Sequence, residues 1–168
     1  APRHPLHQLI ATQLRSSSYL RVDETPIRYL EPGSGKAQKG YLWTYHSAEH
    51  GALYDWHTGR SNTCLDNILI DPEGKASFEG FLQSDGFAGY QAFLERHKDK
   101  KLKIIPISCL AHIRRKFFGA LGDHPKIAAW ILYQISEIYH LESRLTRRRA
   151  GPKLRKRARK LLLTRTYH

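Results

Sequence analysis

The sequence contains no methionine and only two cysteines, Cys64 and Cys109, among its 168 residues. Two cysteines are too few for the disulfide scaffold that holds many small secreted domains together, so we expect a reducing, cytoplasmic setting. Without methionine the chain has no initiator residue, which indicates a fragment or a processed protein.

Long apolar runs are also missing, because no stretch approaches the roughly 20 residues that a transmembrane helix needs. The N-terminal residues 1–7 are polar and include two prolines, unlike the apolar stretch of a secretory signal peptide. We therefore expect no membrane-spanning helix in these residues and no membrane partner.

Acidic residues are scarce, since 15 Asp and Glu accompany 28 Lys and Arg and give a net charge of +13. Such a charge predicts an anionic partner, and nucleic acid is favoured over a membrane surface. From residue 144 to residue 165 there is no acid at all. This basic stretch either binds phosphates or forms a solvated helix that packs on another part of the protein.

Periodicity of the apolar residues predicts the elements of the first half of the chain. Pro26 is expected to interrupt the first strand, and residues 27–30 either extend that strand or start its continuation. A turn is expected at residues 71–74. The predicted helices cover residues 5–16, 61–70 and 77–81, and the predicted strands, an antiparallel meander, cover residues 19–23, 40–46 and 52–57.

The second half alternates between strands and helices. Pro106 places the last strand near an edge of its sheet. The predicted strands cover residues 81–84 and 103–108, and the predicted helices cover residues 90–97, about 110–121, 126–145 and 151–165. Antiparallel strands followed by βα units indicate an α/β protein with a mixed sheet and helices on both faces.

Two aspartates, Asp23 and Asp85, each lie at the end of a strand-like segment. Polar groups can converge at strand ends in a sheet with βα crossovers. If the two strands are neighbours, the carboxylates can hold Mg²⁺, which activates a water or hydroxyl and stabilises a leaving oxygen. The ordinary alternative is that Asp23 is a turn residue and Asp85 a helix cap.

A basic helix is predicted directly after the last strand. It carries His112, Arg114, Arg115 and Lys116, whose side chains could hold phosphates; the alternative is a solvated helix face. Cys109 and His112 do not predict a zinc site, because such a site needs a second pair of ligands.

Four segments, taken in order, resemble the catalytic core of the insertion-sequence-sixty-six family of bacterial transposases over roughly residues 5–145. The resemblance implies a ribonuclease-H-like fold, a mixed five-stranded sheet flanked by helices, here with a C-terminal helical extension. It also implies that Asp23 and Asp85 are catalytic and bind Mg²⁺ or Mn²⁺ for DNA cleavage and strand transfer. The four segments are residues 23–26, 40–43, 82–90 and 109–118.

The implied partners are DNA, as transposon ends and target, and a second copy of the chain in an oligomer. The expected domains are an N-terminal helix (1–18), a partial catalytic core (19–122) and a basic helical extension (123–168). The candidate DNA-binding residues are His112, Arg114, Arg115, Lys116, Arg147, Arg148, Arg155 and Arg157.

A third catalytic acid is implied as well, a Glu close to an Asp-Asn-Asn segment, and this sequence has no such segment. Glu137 and Glu142, the only acids after Asp123, are interpreted as solvated residues of an amphipathic helix. We therefore expect this chain alone to be inactive. The alternative function is a non-catalytic, DNA-binding remnant that uses its basic helices.

Overall fold

The computed structural model describes residues 4–71, 77–98 and 102–166, without the side chains of residues 163, 165 and 166. Within these ranges the chain forms five strands, six α-helices and one 3-10 helix. The strands are β1 (Tyr19–Leu30), β2 (Ala37–Ser47), β3 (Gly51–His57), β4 (Gly80–Ser84) and β5 (Ile104–Ser108). The helices are α1 (Pro5–Arg15), the 3-10 helix (Asn62–Leu65), α2 (Asp66–Leu69), α3 (Ala88–Arg96), α4 (Leu110–Gly119), α5 (Pro125–Arg147) and α6 (Pro152–Thr166).

The strands form one mixed sheet in the order β3-β2-β1-β4-β5. The pairs β1–β2 and β2–β3 are antiparallel, whereas β4 pairs in parallel with both β1 and β5. The meander predicted for the first three strands is confirmed, and so is the mixed five-stranded sheet of a ribonuclease-H-like fold.

Prolines occur in two strands, β1 and β5, and only the one in β5 has the structural role that the sequence predicts. Pro106 is in β5, which is an edge strand, as predicted. The expected interruption at Pro26 is wrong, because β1 runs through it and pairs Pro26 with Tyr41 of β2. β4 pairs only with residues 19–21 of β1. At Pro26, β1 is therefore paired with β2 but no longer with β4, and a missing backbone N–H is tolerated at such an edge.

The helix predicted over residues 77–81 is also wrong, since residues 77–79 are irregular and Gly80 begins β4. Gly80 has a φ of +143°, and a Cβ there would lie 2.4 Å from the carbonyl oxygen of Ser18. The close approach of two backbones therefore requires glycine at this strand start. Most of the turn expected at residues 71–74 lies outside the described residues.

One face of the sheet carries the core of residues 1–109. Alternation in β1 turns Leu20, Val22 and Glu24 toward this face, and Trp43 and Tyr45 of β2 join them. Helices α1, α2 and α3 and the 3-10 helix pack against these side chains with residues such as Leu14, Leu65, Ile68 and Phe93. The core therefore includes one carboxylate, that of Glu24, at a position that alternation reserves for apolar residues.

The chain divides into two compact units, residues 1–109 and residues 110–168. In the second unit α4 and α6 each pack on α5, with Ala128, Ile135 and Leu145 of α5 buried. Ile127 belongs to the predicted apolar stripe of this helix but is 63% exposed. No helix among the described residues has the length and apolar character needed to cross a membrane.

Candidate functional site

Asp23 and Asp85 come from neighbouring parallel strands. The β1–β4 ladder pairs Tyr19 with Phe81 and Arg21 with Gln83. The ladder ends at this pair, and Asp23 lies two positions further along β1, while Asp85 lies two positions further along the other chain segment, directly after β4. Asp23 is exposed, on the face of β1 opposite the core, and its Oδ1 accepts a hydrogen bond from the backbone N–H of Glu24 (3.1 Å).

Asp85 directly follows the last residue of β4, and two groups hold its carboxylate. Its Oδ1 accepts a hydrogen bond from the backbone N–H of Phe87 at 2.8 Å, just before α3 begins. Its Oδ2 lies 3.5 Å from Nη2 of Arg60, a residue that follows β3. The helix cap expected as the ordinary alternative is wrong, because the N-cap of α3 is Phe87 and Asp85 bonds the backbone of the turn before it. The contact with Arg60 was not indicated by the sequence.

Arg60 bonds more closely to Glu24 than to Asp85. Its Nε donates to Oε1 of Glu24 at 2.6 Å, and its Nη2 donates to the same oxygen. The guanidinium also lies over the ring of Phe87, 3.7 Å from the centroid. The other carboxylate oxygen of Glu24 accepts a hydrogen bond from the hydroxyl of Tyr90 at 2.7 Å. Glu24 thus has its two oxygens occupied by two different donors.

The Glu24 side chain is only 1% exposed, and this burial raises the pKa of its carboxyl above 4.5. The hydrogen bonds from Tyr90 and Arg60 act in the opposite direction and favour the charged form. Burial, followed by the charge of Glu24, raises the pKa of Tyr90, so that its hydroxyl remains a donor. Arg60 is the charged partner that makes a buried carboxylate at this position tolerable.

Glu24, Arg60 and Tyr90 were not among the sequence-predicted site residues. Period-two alternation could have found Glu24, because it continues the buried series of Leu20 and Val22. Arg60 lies 36 positions from Glu24 and 25 from Asp85 in a loop without periodicity. The sequence around Arg60 therefore does not predict its contacts with Glu24 and Asp85.

Two carboxylates suit a hard divalent cation, which typically takes one or two carboxylates and completes its shell with water or substrate phosphate. Asp23 and Asp85 are two such carboxylates, one in β1 and one directly after β4. Across residues 4–71, 77–98 and 102–166, no three His, Cys, Asp or Glu side chains form a group that could hold a metal ion.

Positive charge is concentrated in the second unit. Residues 110–168 contain 15 Lys and Arg and 3 Asp and Glu, a net charge of +12. Residues 1–109 contain 13 Lys and Arg and 12 Asp and Glu, a net charge of +1. Nearly all of the excess charge that predicts a nucleic-acid partner thus belongs to the three C-terminal helices.

Two of the α4 residues predicted to contact DNA, Arg114 and Arg115, border a cleft within the second unit. Arg114, Arg115 and Lys116 are exposed, and the guanidinium of Arg114 lies 6.0 Å from the ring centroid of Phe118. A cleft of about 410 Å³ is lined by Arg114 and Arg115 together with Ala111, Phe118 and Tyr139 of α5. Aromatic surface beside guanidinium groups can contact both phosphates and bases.

The basic residues on α6 differ in how freely they could reach an anion. Arg157 is exposed, as are Arg147 and Arg148 at the end of α5. Arg155 instead donates to Glu142 of α5 at 3.0 Å and to the backbone oxygen of Ala150 at 3.1 Å. The carboxylate of Glu142 therefore offsets part of the charge of one predicted DNA-binding residue.

Glu142, predicted as a solvated residue, joins α5 to α6. Arg159 donates to both of its oxygens, at 2.6 and 3.0 Å, and Arg155 donates to one. The hydrogen bond from Arg159, then its charge and that of Arg155, hold the pKa of Glu142 below its usual 4.5. The three charges form a network rather than a single exposed pair.

Glu142→Gln is expected to destabilise the second unit by about 1 kcal/mol at pH 7, because an ion pair with two arginines is lost. A lowered folded-state pKa stabilises above pH 4.5, and this stabilisation is lost as the pH falls through the lowered value. The difference in urea midpoint between parent and variant should therefore shrink as the pH falls below 4.5 and vanish once Glu142 is protonated in the folded parent. Glu137→Gln in the same helix is the control. An equal midpoint loss in that control, or a difference that survives at low pH, would contradict the assignment.

A family model described as "Transposase IS66 family" matches residues 3–168. The uncharacterized protein y4qI of Sinorhizobium fredii (strain NBRC 101917 / NGR234) is 28% identical over 148 residues, which cover 82% of this chain and 26% of that protein. The uncharacterized protein y4jD of the same strain is 30% identical over 151 residues, which cover 82% of this chain and 28% of that protein. The chain thus spans about a quarter of the length of these curated relatives.

Proposed function

The chain belongs to the IS66 family of transposases, and on that premise we propose that it carries two of the acids that cut and join DNA at transposon ends. The observation that carries this proposal is that Asp23 and Asp85 each lie two positions beyond the last pair of the parallel β1–β4 ladder. It supports a site in which both carboxylates bind Mg²⁺ or Mn²⁺ and belong to a DDE-type catalytic centre.

Bound divalent ions would activate a water or 3′-hydroxyl and stabilise the oxygen that leaves phosphorus. Asp23 and Asp85 would hold them from two adjacent strands. The backbone N–H of Phe87 orients the carboxylate of Asp85. Orientation matters because a displaced ligand moves the reacting oxygens away from their in-line geometry.

The +12 charge of residues 110–168 supports DNA as the partner, both transposon ends and target. The exposed arginines and lysine of α4, with Arg147, Arg148 and Arg157, would contact phosphates without reading sequence. Such a protein would act in the cytoplasm, as one copy of an oligomer. Since the third acid of the family lies near a segment that this sequence lacks, we expect the 168 residues alone not to cleave DNA.

The proposal is tested by Mn²⁺ binding to the full chain, measured by isothermal titration. Asp23→Asn and Asp85→Asn should each weaken binding at least about tenfold, because a charged oxygen ligand becomes a neutral amide. Asp123→Asn, a change of the same type at an exposed turn of the second unit, is the matched control and should bind like the parent. Parent-like binding in both site variants would disprove the metal site.

A second function, a DNA-binding remnant without chemistry, is favoured by the separation of charge between the two units. The same titration distinguishes the two functions. A parent chain that binds DNA but shows no Mn²⁺ binding at millimolar concentration would support the remnant. Mn²⁺ binding that depends on both Asp23 and Asp85 would support the catalytic core.

A further inference from the structure

Arg60 has two carboxylates within reach, and it is bound to the one that is not a proposed metal ligand. Its Nε and Nη2 both donate to Glu24, with Nε at 2.6 Å, whereas Oδ2 of Asp85 lies 3.5 Å from Nη2 in a longer and weaker contact. Glu24 is almost fully buried, and the Asp85 side chain is 23% exposed. Arg60 is therefore held mainly by the buried Glu24, and it lies beside the partly exposed Asp85.

We infer that Glu24 is a positioning residue that retains Arg60 and so leaves the carboxylate of Asp85 available to a divalent cation. This inference rests on the proposed metal site and adds a role for four residues that are not ligands, of which Arg60 and Phe87 contact Asp85 directly. Tyr90 takes part by bonding the second oxygen of Glu24, and Phe87 by stacking beneath the guanidinium.

Two cations compete for the carboxylate of Asp85: the guanidinium of Arg60 and a divalent metal ion. A guanidinium that pairs fully with a carboxylate occupies its oxygens and repels a dication. Glu24 prevents this because a charged hydrogen bond to a buried acceptor is stronger than one to an exposed acceptor. The geometry of the guanidinium plane is fixed further by the ring of Phe87, 3.7 Å from the central carbon.

The first test is Glu24→Gln, measured by Mn²⁺ titration of the full chain. The amide keeps the shape of the side chain and can still bond Tyr90, but it gives Arg60 no charge to pair with. Arg60 then turns to Asp85, and the Mn²⁺ dissociation constant should rise about tenfold. Tyr90→Phe, which removes one hydrogen bond and keeps the ring, should give a smaller rise of about two- to threefold.

The decisive test is the double variant Glu24→Gln with Arg60→Met. Removing the arginine removes the competitor, so Mn²⁺ affinity should return to within about twofold of the parent value. A fold that had simply been damaged by Glu24→Gln would not recover affinity on a second substitution. Arg60→Met alone would leave the buried carboxylate of Glu24 without its cation, whereas the double variant removes both charges.

Arg96 provides a matched control because it repeats the arrangement of Arg60 away from Asp85. It pairs with Asp66 at 2.7 Å and lies 6.0 Å from the ring centroid of Phe93. Arg96→Met should leave Mn²⁺ binding unchanged. If Glu24→Gln binds Mn²⁺ like the parent, or if the double variant stays as weak as the single one, the inference is overturned.

Failure of the inference and failure of the proposed function give different results. Loss of binding in Asp85→Asn with parent-like binding in Glu24→Gln would overturn only the role of Glu24. Binding that ignores Asp85→Asn would remove the metal site itself and the inference with it. Circular dichroism and urea midpoints of every variant establish that each compared protein is folded.

Discussion

Trp43→Ala should unfold the first unit under mild conditions, with a loss of about 3–5 kcal/mol in the free energy of unfolding. Trp43 is completely buried in β2 and stacks edge-on against Tyr90 of α3, with ring centroids 6.1 Å apart. A loss of this size is a large part of the 5–15 kcal/mol that typically separates folded from unfolded domains. Urea titration followed by circular dichroism measures it.

Trp130→Ala is the matched control, since Trp130 is 57% exposed on α5. The same atoms are removed, but few of them are shielded from water. The free energy of unfolding of the control should therefore fall by less than about 1 kcal/mol. Equal losses in the two variants would mean that Trp43 does not anchor the core. The Mn²⁺ affinity of any folded Trp43→Ala protein should also fall, because Tyr90 and through it Glu24 lose their support.

The sheet was predictable where side chains alternate over a long strand. In β2 the alternation between Trp43 or Tyr45 and their neighbours reflects one buried and one uncovered face, and such a pattern is local. The start of β4 was not predictable in this way. Gly80 is required by the carbonyl of Ser18, a contact between positions 62 residues apart, and no local period records it.

The candidate site shows the same division. Asp23 and Asp85 could be named from strand ends and the resemblance, and in the structure each lies two positions beyond the last pair of the parallel β1–β4 ladder. Glu24 was readable only as a charged residue on the buried face of β1. Arg60 belongs to the site because the loop after β3 returns to the end of β4, which is a property of the topology and not of the surrounding sequence.

The second unit should account for most of the affinity for DNA. Arg114, Arg115, Lys116 and Arg157 replaced together by glutamine should weaken binding to a duplex about a thousandfold at 0.1 M salt, since each phosphate contact contributes about 0.9 to the salt exponent. The slope of log affinity against log salt should therefore fall by about 3 to 4. Fluorescence anisotropy over a salt series measures both quantities in one experiment.

The control for this variant removes the same amount of charge from the first unit. It consists of glutamine at Lys36, Lys39, Lys98 and Lys103, all exposed lysines. If only total charge mattered, the two variants would weaken binding equally. A slope that falls in the first variant and stays unchanged in the second would assign the phosphate contacts to residues 110–168. In that case α4 and α6 would bind the DNA, and the sheet with Asp23 and Asp85 would carry out the reaction. Equal slopes would contradict that division of roles.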